Sequence, residues 1–164
     1  MAELTPLDEK LAEVLGLAQA AQTTTQKVAG LARDEGEDDL VSLMERMTTE
    51  SEQTEASCQK VADTREGMKT AIADKARETK LEVTGFMKTY LEDAEALDGL
   101  EFLSMSEAGE VIHLEILGTL NETAKDVDVA SLVDSITPMQ QGHVTKVREH
   151  ALALAADEDP EQAG

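Results

Sequence analysis

Apolar residues recur along this chain at steps of three and four, the period of one helix face. The first run is Leu7, Leu11, Val14, Ala18, Ala21, Val28 and Leu31. Thr5-Pro6-Leu7-Asp8 supplies its start: a cap, a proline at the first helical position and the acid of a capping box. Gly36 is placed to end it in a left-handed cap. A second helix starting at Asp38 or Asp39 carries Leu40, Leu43, Met44, Met47, Cys58 and Val61. After a break at Arg65-Glu66-Gly67, a third carries Met68, Ile72, Leu81, Phe86, Tyr90 and Leu91. Its early part, Lys75 to Lys80, is dense in charge and reads as a half-buried crossover. The fourth helix starts at Asp98, whose box is closed by Glu101, or at Ser104, whose box is closed by Glu107. The earlier start is preferred. Its apolar points are Leu103, Ala108, Val111, Ile112, Leu114, Leu117 and Leu120. Asp126-Val127-Asp128 is taken as the next turn. The last helix, from about Val129 to Ala156, carries Leu132, Val133, Ile136, Met139, Val144, Val147 and Ala151. Pro138 inside it predicts a kink or a restart capped by Thr137.

Polar patches interrupt the stripes at mid-length. In the first hairpin they are Gln22 to Gln26 and Thr48 to Ser57. Gln22 lies 14 residues before Gly36 and Glu50 lies 14 after it, so an antiparallel hairpin sets them at one height. In the second hairpin His113 lies 15 residues before Asp128 and His143 lies 15 after it. Glu110 and His113, three apart, share a helix face; Gln140 and His143 repeat the spacing with an amide in place of the acid. Buried polar groups are costly unless they satisfy each other, bind water or bind a metal. Three readings therefore stand for His113 and His143: core histidines bonded to Gln140, Glu110 or Thr54; ligands of a metal; or residues exposed at a partner surface.

Composition narrows the fold and the partners. A chain of 164 residues suffices for one domain, residues 1–164, with an acidic tail from about 157 that is expected to fray. Aromatics are only 2%, so Leu, Ile, Val, Met and Ala must make the core, and with 3 prolines the class is all-α. The net charge of -21 disfavours nucleic acid and anionic membranes as partners. The lone Cys58 permits no intrachain disulfide and falls on an apolar face, as a small core residue would. No apolar run approaches a membrane span. The opening Met1-Ala-Glu-Leu-Thr lacks a basic or apolar leader, which points to a cytoplasmic location. No Ser-His-Asp set, Cys-His pair, phosphate loop or zinc motif is apparent, so the balance leans away from an enzyme.

Leu31-Ala-Arg-Asp34 leading into Asp39-Leu40, Glu50-Ser-Glu52-Gln53-Thr54, and Gly118-Thr-Leu120-Asn-Glu-Thr-Ala124-Lys125 carry a resemblance. Over roughly residues 7 to 155 the chain resembles the ferritin-like superfamily, nearest to small bacterial stress-associated members of unknown activity. The resemblance implies an antiparallel four-helix bundle with an additional crossover helix. It also implies a homodimer and a site for two iron or manganese ions. The sequence departs from that pattern. Ala21 stands where the first helix should offer a Glu, His113 where the fourth should offer a carboxylate, and Gln140 where the last should offer a Glu. Only Glu50 carries over directly. What is left is one metal held by some of Glu50, Glu110, His113 and His143, with Gln140 as polar neighbour.

Three functional classes follow. The first, preferred, is a ferritin-like bundle with a degenerate metal site that acts as a structural or interaction protein, stress-related by resemblance, with no cofactor. The second is an iron or manganese protein with oxidase or peroxide-consuming chemistry. The third is an unrelated acidic helical adaptor.

Overall fold

The computed structural model describes residues 3–161, and every regular element among them is a helix. The reading of Met1 and Ala2 as lacking a leader, and the last three residues of the tail, lie outside the described residues. The five helices are α1 (Pro6–Glu35), α2 (Asp38–Ala62), α3 (Lys69–Tyr90), α4 (Ala96–Ala124) and α5 (Val127–Asp157). No helix of the described residues is long and apolar enough to cross a membrane.

Local chemistry sets the ends. The Thr5 hydroxyl accepts from the Asp8 backbone N–H at 3.2 Å and donates to the Asp8 carboxylate at 2.7 Å. Pro6 then occupies the first turn, where a missing N–H costs nothing. Gly36 ends α1 at φ 78°, a left-handed conformation that glycine adopts without a Cβ clash. α4 begins at Ala96, two residues before the expected Asp98. Glu95 is its cap and Asp98 the third helical residue of a capping box, so Asp98 closes the box and does not open it. At the other end Lys125 takes φ 59°. The Asn121 amide clamps the turn, donating to the Asp126 carbonyl at 2.8 Å and accepting from the Asp126 N–H at 3.0 Å. The Asp126 carboxylate caps α5 through the N–H groups of Asp128 and Val129. The turn is thus centred on Lys125 and Asp126; Val127 and Asp128 are already helical. Pro138 lies within α5, which does not restart there.

α1 packs against α2, α3 and α4; α4 packs against α5, and α2 against α5. The ends of the helices are tied together. The Ala96 N–H donates to the Glu35 carboxylate at 2.7 Å, joining the end of α1 to the start of α4. Arg65, between α2 and α3, reaches Asp8 at 3.3 Å and Asp126 at 2.7 Å at the opposite end. α3 lies so close to α1 that a Cβ on Gly16 would sit 2.4 Å from the Ala76 carbonyl oxygen.

The core falls into two clusters. One holds Leu11, Leu15, Cys58, Val61, Leu114, Leu117, Leu132 and Ile136. The other holds Val28, Leu43, Met47, Leu100, Leu103 and Val147. Between Leu15 and Val28, Met47 and Cys58, Leu103 and Leu114, and Ile136 and Val147, each of four helices crosses a mid-length zone. Thr24, Thr25, Ser51, Thr54, Glu107, Glu110, Gln140 and His143 are buried in that zone. The expected polar layer is therefore present in both hairpins.

The apolar pattern of α3 was only half informative. Ile72 and Leu91 are buried, but Leu81, Phe86 and Tyr90 are exposed. α3 rests mainly on α1, and its buried residues are Ile72, Ala76, Thr79, Thr84 and Met87; at its end Tyr90 also meets Phe102 and Glu101 of α4. One narrow buried face leaves Leu81 and Phe86 outside it and Tyr90 only partly covered.

Candidate functional site

Three helices bring polar side chains together in the middle zone. Glu107 projects from α4 and is 1% exposed, among the largest fully buried side chains of the protein. One of its carboxylate oxygens accepts from the Gln140 amide of α5 and from His143 Nδ1, the latter at 3.1 Å. The other ring nitrogen of His143, Nε2, meets the Glu50 carboxylate of α2 at 2.5 Å. A single imidazole thus links α4, α5 and α2.

The protonation state follows from the partners. With both carboxylates ionised they can only accept, each ring nitrogen of His143 donates, and the ring is an imidazolium. Burial opposes that charge. The hydrogen bonds and negative charges of Glu107 and then Glu50 outweigh it and hold the His143 pKa above its ordinary value. Glu110, one turn beyond Glu107, is buried too. Desolvation, then the Glu107 charge, pushes its pKa well above the usual carboxyl range. Cys58 lies near it on α2. Burial, then the charges of Glu110 and Glu55, pushes its thiol up to about 12. Cys58 is therefore a core thiol with no thiolate character at neutral pH.

The sequence-predicted residues separate into two places. Glu50, Gln140 and His143 join one hydrogen-bonded chain with Glu107, and Glu110 is buried beside it. His113 does not join them. Its Nδ1 lies 3.3 Å from Glu13 and 3.4 Å from Lys10, both on α1. Burial, then the Lys10 charge, lowers its pKa against the pull of Glu13. The expected meeting of His113 with His143 is thus corrected, for two physical reasons. With the turn centred on Lys125, not Asp128, the residue level with His143 is Glu107: each lies 18 residues from Lys125. Three helical steps also rotate His113 about 60° from Glu110, enough to carry it off the inner face.

In the first hairpin the height argument holds with shifted partners. Thr25 and Thr48 share a hydrogen bond at 2.7 Å across the turn at Gly36. Gln22 bonds Glu55 at 2.6 Å, and Gln19 bonds it at 3.0 Å. Gln53, three residues beyond Glu50, is exposed. At this level α1 offers the interior Ala20 and Ala21, with Thr24 and Thr25 spent on backbone carbonyls of their own helix.

Glu107 is the site residue that sequence reasoning missed. In the sequence it stands only as the acid of a capping box at Ser104. The signal was present, since an acid at that point interrupts an apolar helix between Leu103 and Leu114.

A centre for two metals draws carboxylates from four helices and two imidazoles. Here the interior has Glu50, Glu107, Glu110 and one histidine, with nothing from α1, so the donor set does not fit two ions. Among the described residues no group of three His, Cys, Asp or Glu side chains is arranged to hold a metal ion. One atom stands out from an otherwise satisfied chain: the second carboxylate oxygen of Glu107 is buried without a hydrogen-bond partner.

The chain matches no protein-family model, no curated protein and no solved structure. What defines it is therefore its own geometry, an all-helical protein with a buried acid–imidazole chain between two apolar clusters.

Proposed function

We propose that this chain is a ferritin-like bundle of α1, α2, α4 and α5, with α3 as the crossover, and that it acts as a structural or interaction protein. In this reading the level where relatives of the fold bind metal has become an internal strut. The observation that carries it is His143, whose two nitrogens are both taken by carboxylates from different helices. An imidazolium has no lone pair to offer a metal. The groups that would be ligands instead tie α2, α4 and α5 together. The direction of the chain agrees, since α3 returns from the Arg65 end to the Ala96 end between the two hairpins.

Elemental analysis of protein purified without chelator tests the reading. The expected result is iron and manganese well below one ion per chain. A stoichiometry near two per chain would contradict it and favour oxidase or peroxide-consuming chemistry.

A second reading rests on the unpartnered oxygen of Glu107. A buried carboxylate oxygen without a donor is costly, and a single divalent cation shared with Glu110 would satisfy it. Titration with manganese, followed by melting temperature, separates the two. A saturable rise at one ion per chain, lost in Glu107→Gln, supports the cation; no rise supports the strut.

A further inference from the structure

An apolar cleft of about 590 Å³ opens on the outside of the molecule between α3 and α4. Both helices rest on α1, and they meet each other at one end, where the Tyr90 and Phe102 rings lie 5.5 Å apart, tilted by 52°. Leu17 of α1, half-buried, forms the floor of the gap. The chain has two Phe, one Tyr and no Trp, and all three rings line this one cleft. Gly109 lines it too, and a Cβ there would meet nothing within 4 Å, so the space beside α4 is open. The volume falls in the range of about 300–1,000 Å³ that small-molecule sites occupy.

The polar groups of the cleft are few, and most are spent. Among the described residues no Lys, Arg, Asp or Glu lines it. The Thr89 hydroxyl donates to the Gly85 carbonyl at 3.3 Å, the Ser106 hydroxyl to the Leu103 carbonyl at 3.3 Å, and the Tyr90 hydroxyl to Glu101 at 3.3 Å. His113 is the fourth polar side chain of the lining. Its Nδ1 faces Lys10 and Glu13 of α1, which share a helix face with Leu17. Nε2, on the other edge of the ring, has no hydrogen-bond partner among the described residues. Burial, then Lys10, keeps the ring uncharged at pH 7.

Such a lining selects its occupant. A charged molecule would give up its water here without a counter-charge. Flat rings match the offset and edge-on packing that aromatic walls offer. Phe102 and His113 lie eleven residues apart on α4, about 16 Å, which is the length of several fused rings. One hydroxyl answers Nε2 in either tautomer of the imidazole, because it both donates and accepts.

We propose that the α3–α4 cleft is a binding site for a small, uncharged, polycyclic molecule carrying one hydroxyl group, with its rings against the aromatic walls and its hydroxyl on His113 Nε2. The site shares no residue with the chain of Glu50, His143, Glu107 and Gln140. It therefore stands or falls apart from the strut and from the metal content.

The test titrates the full chain at pH 7 into a trace of 1-hydroxypyrene, with pyrene and 1-pyrenecarboxylate as comparisons. The chain has no tryptophan, so pyrene emission is read without interference. The expected result is saturable binding of 1-hydroxypyrene with Kd about 10 µM. Pyrene should bind about 5-fold more weakly for want of the hydroxyl, and the carboxylate at least about 10-fold more weakly. His113→Phe should bring 1-hydroxypyrene and pyrene to equal affinity. Gly109→Leu puts a side chain into the open space, and Phe86→Ala removes an exposed wall. Each should keep the helical circular dichroism and weaken binding at least about 10-fold. Absence of saturable binding up to about 1 mM protein overturns the proposal. So does binding that either of these two variants leaves unmoved, which would lie elsewhere. Tighter binding of the carboxylate than of 1-hydroxypyrene overturns the uncharged class, and equal affinity of the unaltered chain for pyrene and 1-hydroxypyrene overturns the role given to His113.

Discussion

Two histidines on neighbouring helices meet opposite fates. His143 lies inside, between two carboxylates, and its charge is favoured. His113 lies at the outer cleft beside Lys10, and its charge is disfavoured. Burial opposes the charge on both rings. Two carboxylates outweigh it at His143, whereas at His113 the single Glu13 is countered by Lys10. The contrast teaches that a polar residue in an apolar helix is defined by the helix opposite it, and that the inner and outer regions of this protein should respond differently to the same perturbation.

The largest expected effect comes from cutting the inner chain. His143→Ala removes a donor from Glu107 and leaves its charge buried, a change of about 3–5 kcal/mol. For a chain of this size that lowers the melting temperature by about 10 °C, read by calorimetry or circular dichroism. A loss below about 1 kcal/mol would mean that the strut does not stabilise the bundle.

Gly16→Ala comes next and probes how the outer helix is held. The added methyl would meet the Ala76 carbonyl at 2.4 Å and the Thr79 Cβ at 2.7 Å. Neither belongs to a long flexible side chain that could swing away. Overpacking of this kind costs about 1–3 kcal/mol. Hydrogen exchange should show α3 loosening while the amides of α4 around Glu107 stay protected. Equal loosening of both would break the distinction between the regions.

Titration sharpens the comparison without changing the sequence. In an NMR titration the His143 ring should lose its proton above pH 6.5 and the His113 ring below it. The consequences for stability have opposite signs. His143, raised in the folded state, contributes stability that is full below pH 6.5 and is lost as pH rises through its folded value. Glu110, also raised, acts in the same direction from pH 4.5 upward. His113, lowered, contributes stability present above pH 6.5 and lost as pH falls through its folded value. Above pH 6.5 His113 no longer contributes a change and only the raised groups do, so the melting temperature should fall as pH rises from 6.5. In His143→Ala the fall should flatten. A rise across that window would reverse the assignment.

The smallest effect belongs to His113→Ala. Its ring is 30% exposed, and Lys10 and Glu13 still pair with each other when it is removed, so the loss should stay below about 1 kcal/mol. A cost equal to that of His143→Ala would show that the outer histidine is no less structural than the inner one.

The amino-acid order alone determined the all-α class, the cap at Thr5-Pro6, the turn at Gly36, the break at Gly67 and the buried stripe of α2. These are local matters: a period of 3.6, a missing N–H and a left-handed residue act within a few positions. It also determined that polar residues would interrupt the core at mid-length. Which of them meet was decided by the tertiary structure. An error of about three residues in placing one turn moved the partner of His143 from His113 to Glu107, because each residue of shift at a hairpin counts twice across it. The exposure of Phe86 and Tyr90 was likewise beyond the reach of periodicity. A helix pattern says which residues share a face, and only the packing of α3, mainly on α1, says how much of this face is left uncovered.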